Sequence, residues 1–389
     1  MRVSLEVQTR PSAITIRLSF VLLSGNNVEA TILSQPLALK GQMSATPRLA
    51  SIATAVPQHV LETPAVIREA ARVFAPFGDN FDRMLPVFAN SGIERRYSAC
   101  PIEWFTTLSN WPERSGIFLE VGQSLFREVA AKALAEAGLA ARDVDAIVSV
   151  SSTGIATPTI EARVMHEMGF RDDVMRLPVF GLGCAGGLSG LSIAARLSRG
   201  MPGKTILLVV IELCSLTFRP DEMSKSNIIA SALFGDGAAA AIIRSQGDGP
   251  LLEHGGEHTW PDTVGIMGWR IDQEGFSAIF SRSIPDLVLN DLRPVADAFL
   301  ARHGLALADM NHYSFHPGGT KVIQALENAL ELGQGRLQDE RNILANFGNM
   351  SAPTVLFVLK RAMEKTWSGR RFLGTLGPGF TASFMTLTQ

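Results

Sequence analysis

The sequence predicts an α/β protein in which a sheet is covered on both faces. Segments typical of strands alternate with segments typical of helices from about residue 48 to the C-terminus. The run 205–211 is apolar after its first residue, as expected for a strand that is buried on both faces of a sheet. Hydrophobic residues make up 46% of the 389 residues, which is enough for a core well beyond that of a small domain.

The alternation can be followed along the chain. The spacing of apolar residues in the first part predicts helices at 64–90, 116–137, 161–168 and 186–197. Strands are predicted in the same part at 145–151, 177–180, 205–211 and 238–243. The second part repeats this rhythm with helices at 286–303, 320–332 and 352–365, and with strands at 311–315, 371–376 and 381–387. The two parts are alike in rhythm and not in sequence.

Residues 1–42 differ from the rest of the chain. They contain no motif, and globular patterning begins at Arg48. We expect them to be a flexible extension or the product of an upstream start codon chosen wrongly. The remainder is expected to form two halves, at 43–245 and 246–389.

Composition excludes several classes of function. A net charge of −2 and a pI near 6.4 argue against a broad surface for nucleic acid or anionic membrane. Three cysteines are a poor disulfide framework and indicate a reducing compartment. No apolar run reaches the length of a membrane span. We therefore expect a cytoplasmic protein without stable membrane insertion.

Cys184 is the strongest candidate for a catalytic residue. It stands in the run Gly-Leu-Gly-Cys-Ala-Gly-Gly at 181–187, between a predicted strand and a long apolar helix. The N-terminus of a helix favours an anion, so this position is expected to lower the pKa of the thiol and to favour the nucleophilic thiolate. The bland alternative is a buried structural cysteine.

Two other patterns suggest different chemistry. The same glycines spell a dinucleotide-binding fingerprint, with Glu212 at the end of the next strand, but the acidic residue comes later than the usual ~20 residues. His254 and His258 fit the H-x-x-E-H zinc pattern. That pattern needs a helix, and two internal glycines with a following Trp-Pro make a solvated loop the better prediction. No metal site is therefore predicted.

His316 and Asn349 complete a constellation with the cysteine. His316 follows a predicted strand and precedes two glycines, a position from which it can act as base toward a thiol. Asn349 lies on a loop before a helix, and its side-chain amide can donate to a developing oxyanion. Taken alone, the histidine could be structural and the asparagine could belong to an ordinary helix cap.

These residues lie in motifs that resemble a known family. From about residue 48 to the C-terminus, the chain resembles the type III polyketide synthases, the chalcone synthase-like enzymes of the thiolase superfamily. The resemblance rests on Gly-Cys-Ala-Gly-Gly at 183–187, Leu-Phe-Gly-Asp-Gly-Ala-Ala at 233–239, Phe-His-Pro-Gly-Gly at 315–319 and Gly-Asn-Met-Ser at 348–351. It implies a thiolase-like fold with two similar αβαβα halves in a layered α/β/α/β/α arrangement, the first half carrying the cysteine and the second carrying the histidine and asparagine.

The resemblance also implies a reaction. Cys184 would take an acyl group from a CoA-linked starter, and malonyl-CoA would lose carbon dioxide with His316 and Asn349 holding its thioester carbonyl. The resulting carbanion would attack the Cys184 thioester. The substrates are then an acyl-CoA starter and malonyl-CoA, no cofactor is needed, no nucleic acid is bound, and the family's assembly is a homodimer.

Further site residues are implied by the same resemblance. Phe218 falls in the family's gatekeeper segment, and Ala278 stands where a second gatekeeper phenylalanine is expected, which would widen the pocket. The other implied substrate-binding residues are Ser152, Thr157, Arg83, Ser351, Gly377 and Gly379, with Thr157 reaching the partner subunit's cavity. Arg83 is the only match to the family's basic residues for CoA phosphates, because Pro86 and Asn90 occupy the other two positions.

The predicted starter is a long aliphatic acyl group, with alkylpyrone or alkylresorcinol products, because Ala278 frees the volume of a phenyl ring. Thr375 and Leu376 depart from the usual opening of the family's glycine loop. Two alternatives remain open at this point. One is a ketoacyl-acyl carrier protein synthase of the initiating type, and the other is a catalytically inactive homologue that serves as a binding partner.

Overall fold

The computed structural model describes residues 46–78, 81, 83–107 and 109–389, together with the backbone of three strands near the N-terminus. The chain divides into two units, Met1–Ala45 and Thr46–Gln389. In the first unit, strands β1 (Arg2–Arg10), β2 (Ala13–Val21) and β3 (Asn27–Ser34) form an antiparallel sheet. The expectation of a flexible extension or a wrong start at 1–42 stays a prediction, as does the division into halves.

The second unit alternates strands and helices. Its strands are β4 (Arg48–Ala55), β5 (His59–Glu62), β6 (Arg95–Ser98), β7 (Ala146–Val150), β8 (Met175–Val179), β9 (Thr205–Leu213), β10 (Asp236–Arg244), β11 (Leu251–Thr259), β12 (Met267–Asp272), β13 (Gly275–Phe280), β14 (His312–Phe315), β15 (Arg370–Gly377) and β16 (Thr381–Thr388). Its helices are α1 (Thr63–Val73), α2 (Pro86–Ala89), α3 (Trp111–Glu136), α4 (Ile160–Met168), α5 (Gly186–Gly200), α6 (Lys225–Leu233), α7 (Ile284–Ala301), α8 (Thr320–Ala329), α9 (Gln338–Phe347) and α10 (Thr354–Met363).

One nine-stranded sheet organises this unit, in the order β14-β15-β16-β11-β4-β10-β9-β7-β8. The pairs at its two ends, β14 with β15 and β7 with β8 and β9, are parallel, and the pairs between them are antiparallel. Strand β14 is an edge strand. Two small antiparallel pairs, β5 with β6 and β12 with β13, lie outside this sheet.

The core explains the layering. Alternate residues of a strand face opposite sides of a sheet, and here each side packs on helices. Val148 of β7 packs in a central core with α5 and α10, whereas its neighbour Ile147 packs in an outer core with α3 and α4. In the same way Leu373 of β15 faces the central core, and Phe372 faces α7 and α8. Helices therefore lie outside and between the two parts of the sheet, which confirms the α/β class and the α/β/α/β/α layering.

Most differences from the predicted elements concern their ends. Helix α3 begins earlier than predicted because Asn110 caps it and accepts the backbone N–H of Glu113. His254 and His258 lie in strand β11 and not in a loop, since β11 pairs along its length with β16. Several elements had not been predicted: helices α6 and α9, strands β4, β5, β6 and β11, and the β12–β13 hairpin. Within the residues that the structure describes, no helix is both long and apolar enough to cross a membrane.

Candidate active site

Cys184 lies in a short 3-10 turn that runs directly into helix α5. The turn packs against the end of β15: a Cβ atom at Gly377 would come within 2.7 Å of the backbone nitrogen of Ala185 and of the carbonyl oxygen of Leu182. Only glycine permits this approach. Gly377, predicted as a site residue, therefore packs directly against the turn that carries Cys184.

A buried network holds this turn from the other side. The Ser152 hydroxyl oxygen accepts the backbone N–H groups of Gly181 and Gly183, at 3.2 and 3.0 Å. Glu212, at the end of β9, accepts the backbone N–H of Ser152 and the hydroxyl of Thr153. Burial raises the pKa of Glu212 to about 8, although these hydrogen bonds act in the opposite direction. Ser152 thus positions the loop that carries Cys184.

His316 follows the last residue of edge strand β14. Its backbone N–H donates to the carbonyl oxygen of Gly374 at 2.9 Å, which continues the pairing of β14 with β15. The side chain is buried, and neither ring nitrogen has a hydrogen-bond partner within the described part of the chain. Burial lowers the pKa of His316 to about 3, so the imidazole is neutral near pH 7. Such a ring offers one N–H donor and one free acceptor.

Asn349 links the histidine turn to the Leu-Phe-Gly-Asp-Gly motif. Its backbone N–H donates to Leu233 and its carbonyl oxygen accepts from Gly235, at 2.8 and 3.0 Å. Its side-chain Nδ2 donates to the carbonyl oxygen of Gly318 at 3.3 Å, two residues after His316. The Asn349 Oδ1 atom accepts the backbone N–H of Ser351 at 2.8 Å. These contacts fix both the backbone and the amide of Asn349.

The asparagine loop also reaches the cysteine. A Cβ atom at Gly187, in the first turn of α5, would clash with the carbonyl oxygen of Ala352. Burial raises the pKa of the Cys184 thiol to about 12, while hydrogen bonds from the side chains of Ser351 and Asn349 act to lower it. The structure therefore brings Cys184, Asn349 and Ser351 together, and Asn349 joins them to the turn of His316.

The thiol pKa differs from the sequence-based expectation. The helix N-terminus was expected to favour a thiolate, but the Cys184 side chain is buried and the loss of hydration outweighs that contribution. Glu212 raises the pKa of the thiol further. A neutral thiol beside a carboxamide, with a neutral imidazole on the adjoining turn, offers the groups needed to move a proton and to donate to an oxygen on which negative charge develops.

A largely apolar cavity, part of it open to solvent, lies next to this group. Its walls include Phe88, Phe105, Phe218, Cys214 and Phe234. Phe234 forms a backbone bridge with Asn349, and the charge of Cys184 affects the pKa of the Cys214 thiol, which burial raises well above its ordinary value. The part of the wall formed by Cys214 and Phe234 therefore borders the candidate site.

The two predicted gatekeeper positions pack in different side-chain clusters. Phe218 lines the cavity, where its ring contacts those of Phe74 and Phe105. Ala278 is buried in β13 in a cluster with Cys214, Ala230 and Phe234, all three of which line the cavity. The rings of Trp269 and Phe280 pack on Phe234 in the same cluster, with centroids 5.7 Å away. Phe234 therefore connects this cluster to Asn349, with which it forms a backbone bridge.

The remaining predicted residues lie at the surface. Arg83 is exposed, and so are Pro86 and Asn90. Thr157 is exposed next to Ile155, whose side chain is about half exposed. Gly379 lies beyond Gly377 on the same loop, with open space on its Cβ side.

Sequence analysis missed two functional features of this region. Glu212 had been considered only as part of a dinucleotide fingerprint, yet it supports the cysteine turn through Ser152. A carboxyl group that ends an otherwise apolar strand was the signal that could have identified it. Phe234 had been considered only as part of the Leu-Phe-Gly-Asp-Gly motif, yet it lines the cavity and forms a backbone bridge with Asn349.

Comparisons with known proteins identify the family. Residues 103–247 match the N-terminal domain of chalcone and stilbene synthases, and residues 252–385 match their C-terminal domain. Over 351 residues the chain is 38% identical to 1,3,6,8-tetrahydroxynaphthalene synthase of Streptomyces peucetius subsp. caesius, covering 87% of this chain and 92% of that enzyme. It is 31% identical over 315 residues to 3,5-dihydroxyphenylacetyl-CoA synthase of Amycolatopsis balhimycina, covering 78% of this chain and 84% of that enzyme.

The fold gives the same result. The crystal structure of 1,3,6,8-tetrahydroxynaphthalene synthase from Streptomyces coelicolor A3(2), a bacterial type III polyketide synthase, superposes with a TM-score of 0.84 at 28% identity. The match covers 88% of this chain and 99% of that one. The thiolase-like fold expected from the sequence is confirmed, and the chain belongs to the type III polyketide synthases, a family of acyltransferases.

Proposed function

We propose that this enzyme condenses malonyl-CoA with a CoA-linked fatty acyl starter, through a thioester on Cys184, and releases alkylpyrone or alkylresorcinol-type products. The observation that carries the proposal is the apolar cavity whose inner wall, at Cys214 and Phe234, borders the buried group of Cys184 and Asn349. An apolar lining favours buried methylenes.

The first step is loading of the starter. The neutral imidazole of His316 takes the proton of the Cys184 thiol, and the sulfur attacks the thioester carbonyl of the acyl-CoA. A new carbon–sulfur bond forms to Cys184, the bond to the CoA sulfur breaks, and the CoA sulfur leaves with the proton that His316 returns. The buried His316 ring has a free acceptor for this proton. Because the pKa of the thiol is raised and that of the imidazole is lowered, a free thiolate–imidazolium pair is disfavoured, and the proposed proton transfer accompanies the attack.

The second step is decarboxylation and condensation. The carboxylate of malonyl-CoA leaves as carbon dioxide, and the electron pair passes to the thioester as an enolate. The N–H of His316 and the amide of Asn349 are the donors to the enolate oxygen. The enolate carbon then attacks the Cys184 thioester, and the sulfur of Cys184 leaves. Fixed donors in a dry site suit both steps, because negative charge develops on an oxygen in each. Carbon dioxide release drives the bond formation, so the reaction needs no cofactor beyond its CoA thioesters.

The surroundings of the cavity support a long starter. Ala278 packs with three residues of the cavity wall. A phenylalanine at this position would occupy space next to that wall, and the methyl group of alanine leaves this space for the acyl chain. Fewer basic residues are available for the CoA phosphates than the family resemblance implies, because Arg83 is the only match. Arg83 is exposed, whereas Arg96 is buried and donates to the carbonyl oxygens of Ser231, Ala232 and Phe234. Buried methylenes of the acyl chain, each worth about 0.8 kcal/mol, would compensate for a weaker phosphate site.

A second candidate function has its own support. The relative from Streptomyces peucetius is named for tetrahydroxynaphthalene, a bicyclic product without an alkyl chain, and it is 38% identical to this chain. Under that function, malonyl-CoA alone would give the bicyclic product, and added fatty acyl-CoA would not change it.

We further expect a cytoplasmic homodimer. Ile155, Met175 and Phe180 are large apolar side chains, each about half exposed, near Thr157 and the edge strand β8. A second copy that covers this face would bury them and would bring Thr157 close to the partner. The three cysteines of the chain are free and buried, which fits a reducing compartment.

Product analysis tests the proposed starter. The enzyme is incubated with malonyl-CoA alone, and with malonyl-CoA plus dodecanoyl-CoA, and the products are identified by mass spectrometry. Incorporation of the dodecanoyl chain into a pyrone or resorcinol supports the first function. Tetrahydroxynaphthalene in both incubations would replace it with the second. Absence of any product with either substrate set, or with a panel of acyl-CoAs, would indicate an inactive homologue.

A further inference from the structure

Glu340 is a carboxylic acid buried near the candidate site. It lies in the first turn of α9, and its side chain is only 2% exposed. The Oε1 atom accepts the backbone N–H of Phe315 at 2.9 Å. Phe315 is the last residue of β14, and His316 follows it. One carboxyl group therefore joins helix α9 to the strand end that presents the histidine.

The topology of the sheet explains why this contact is needed. Strand β14 is an edge strand, so only one of its sides is paired. Successive backbone N–H groups of a strand point to opposite sides, and that of His316 donates to Gly374 on β15. The N–H of Phe315 faces the side without a strand and is buried there, where an unpaired donor would be costly. Glu340 supplies the missing acceptor.

The imidazole depends on these backbone contacts. Neither ring nitrogen of His316 has a hydrogen-bond partner within the described residues, so no hydrogen bond to the protein sets the orientation of the ring. Its position follows from the backbone at 315–316, which Gly374 holds on one side and Glu340 on the other. A displacement of that backbone would move the ring directly.

Helix α9 also leads to the asparagine. It ends at Phe347, and Asn349 comes two residues later, held by Leu233 and Gly235. Glu340 thus connects the two elements that carry His316 and Asn349, the donors proposed for the enolate oxygen. Their separation decides whether both can reach one atom.

Charged residues lie near Glu340, and none of those that the structure describes forms a direct ion pair with it. Arg371 on β15 donates to the Tyr313 carbonyl oxygen and the Ser314 hydroxyl, and its charge acts on Glu340. Asp339 and Arg341 flank it on α9, and Asp339 is itself paired with Arg361 and Lys365. Burial raises the pKa of Glu340 to about 7. An oxygen acceptor is present in either protonation state.

We propose that Glu340 is a positioning residue for the condensation, which holds the Phe315 backbone so that His316 and Asn349 converge on the same oxygen. The inference rests on the proposed roles of His316 and Asn349. It assigns no contact with substrate to Glu340. A residue with this role should affect the rate of the chemical step and leave substrate binding nearly unchanged.

The test uses the decarboxylation of malonyl-CoA by Cys184→Ala enzyme, which isolates the chemistry of the two donors. Glu340→Gln keeps an oxygen at the same reach, Glu340→Asp withdraws the carboxylate by one methylene, and Glu340→Leu removes the acceptor. Glu327→Leu is the matched control. Glu327 is an equally buried carboxylate that accepts the backbone N–H of Leu337 and pairs with Arg341, and it touches neither β14 nor the asparagine loop. Assays are run well below the melting temperature of each variant.

We expect Glu340→Leu and Glu340→Asp to lower kcat by about 10-fold or more, with KM changed little, because small displacements of catalytic groups are costly. Glu340→Gln should stay near the parent rate, and Glu327→Leu should lose thermal stability without a matching loss of kcat. If Glu340→Leu does not fold, the inference is tested by comparing kcat of Glu340→Gln with kcat of Glu340→Asp. Glu340→Asp at or above the rate of Glu340→Gln would overturn the inference, and so would equal losses in Glu327→Leu and Glu340→Leu.

His316→Ala in the Cys184→Ala background distinguishes a failure of the proposed function from a failure of the role assigned to Glu340. If it decarboxylates malonyl-CoA as well as the parent does, the proposed function itself fails. If it is slow while Glu340→Leu and Glu340→Asp are as fast as the parent, only the role of Glu340 fails.

Discussion

The hydroxyl oxygen of Ser152 accepts the backbone N–H of Gly183 at 3.0 Å, one residue before Cys184. Ser152 in turn donates its own backbone N–H to Glu212. The cysteine turn is therefore connected through two hydrogen bonds to a carboxyl group at the end of β9. A change in the charge of Glu212 would change the pKa of the Cys184 thiol, because the charge of Glu212 raises that pKa.

The raised pKa of Glu212 predicts a pH-dependent stability. Its pKa lies at about 8 in the folded protein, above the ordinary value of 4.5. Between these values the folded state keeps a proton that the unfolded chain has lost, so the free energy of unfolding falls as pH rises and levels off above about 8. One proton contributes at most about 1.4 kcal/mol per pH unit. Urea unfolding at pH 5, 6, 7 and 8 should give a smaller slope for Glu212→Gln than for the wild type.

Asp236 and Glu340 also have raised pKa values, about 6 and 7, and remain in both proteins. The difference between the two slopes isolates Glu212. Equal slopes would show that Glu212 is ionised in the folded state at neutral pH.

The nucleophile is tested by two substitutions at one position. Cys184→Ser should lose acyl loading and product formation, because a buried alcohol is a far weaker nucleophile than a thiol that loses its proton on attack. Cys184→Ala should form no acyl-enzyme either, yet it should still decarboxylate malonyl-CoA. Intact-protein mass spectrometry after incubation with acyl-CoA detects the adduct. The control is Cys100→Ala, which removes a buried thiol that does not line the cavity and leaves Cys184 in place. Acyl-enzyme on Cys184→Ala would place the nucleophile elsewhere.

The roles of His316 and Asn349 are tested by loss of decarboxylation. Each substitution to alanine removes one proposed donor to the enolate oxygen, and single donors of this kind are worth about 10²-fold or more in kcat. The measurement is carbon dioxide or acetyl-CoA release from malonyl-CoA. His312→Ala, on the strand that His316 follows, serves as the control and should stay near the wild-type rate. Near-normal rates in both His316→Ala and Asn349→Ala would remove these residues from the proposed step.

Some features of this site could be predicted from sequence and others could not. Cys184, His316 and Asn349 stand at strand or helix ends beside glycines, a local pattern that sequence displays directly. The contacts of Glu212 and Glu340 depend on elements far apart in the chain, 60 residues for Glu212 with Ser152 and 25 for Glu340 with Phe315. Helix α9 was missed because only three of its ten residues are fully buried, which leaves a weak apolar pattern. The pKa of Cys184 was misjudged because burial of a side chain cannot be read from a motif.

A homodimer is expected to form through the face near Thr157. The apolar side chains Ile155, Met175 and Phe180 would be covered, and obligate interfaces of this type bury roughly 2,000 Å² or more. Sedimentation velocity at micromolar concentration should give the mass of two chains. Phe180→Asp should shift the equilibrium toward monomer, whereas Val264→Asp, a change at another exposed apolar residue, should not. A wild-type monomer at this concentration would contradict the prediction.

Ala278 is predicted to set the length of the accepted starter. It shares a buried cluster with Cys214, Ala230 and Phe234, which form the cavity wall next to the candidate site. A phenylalanine at 278 must either enter that cavity or displace Phe280 and Trp269, whose rings already pack on Phe234. Ala278→Phe should therefore lower kcat/KM for dodecanoyl-CoA much more than for hexanoyl-CoA. Each methylene that loses its buried place costs about 0.8 kcal/mol, so exclusion of two would change the ratio by about 10-fold or more.

The matched control is Ile279→Phe, the next residue on β13, whose side chain points to the opposite face of the strand. It places the same phenyl ring outside the cluster and should leave the chain-length profile unchanged. The profile is measured as kcat/KM for acetyl-, hexanoyl-, dodecanoyl- and coumaroyl-CoA with malonyl-CoA as extender. A wild-type preference for acetyl or coumaroyl starters would refute the fatty acyl assignment. An unchanged profile in Ala278→Phe would instead show that the acyl chain takes a path that does not pass the wall formed by Cys214 and Phe234.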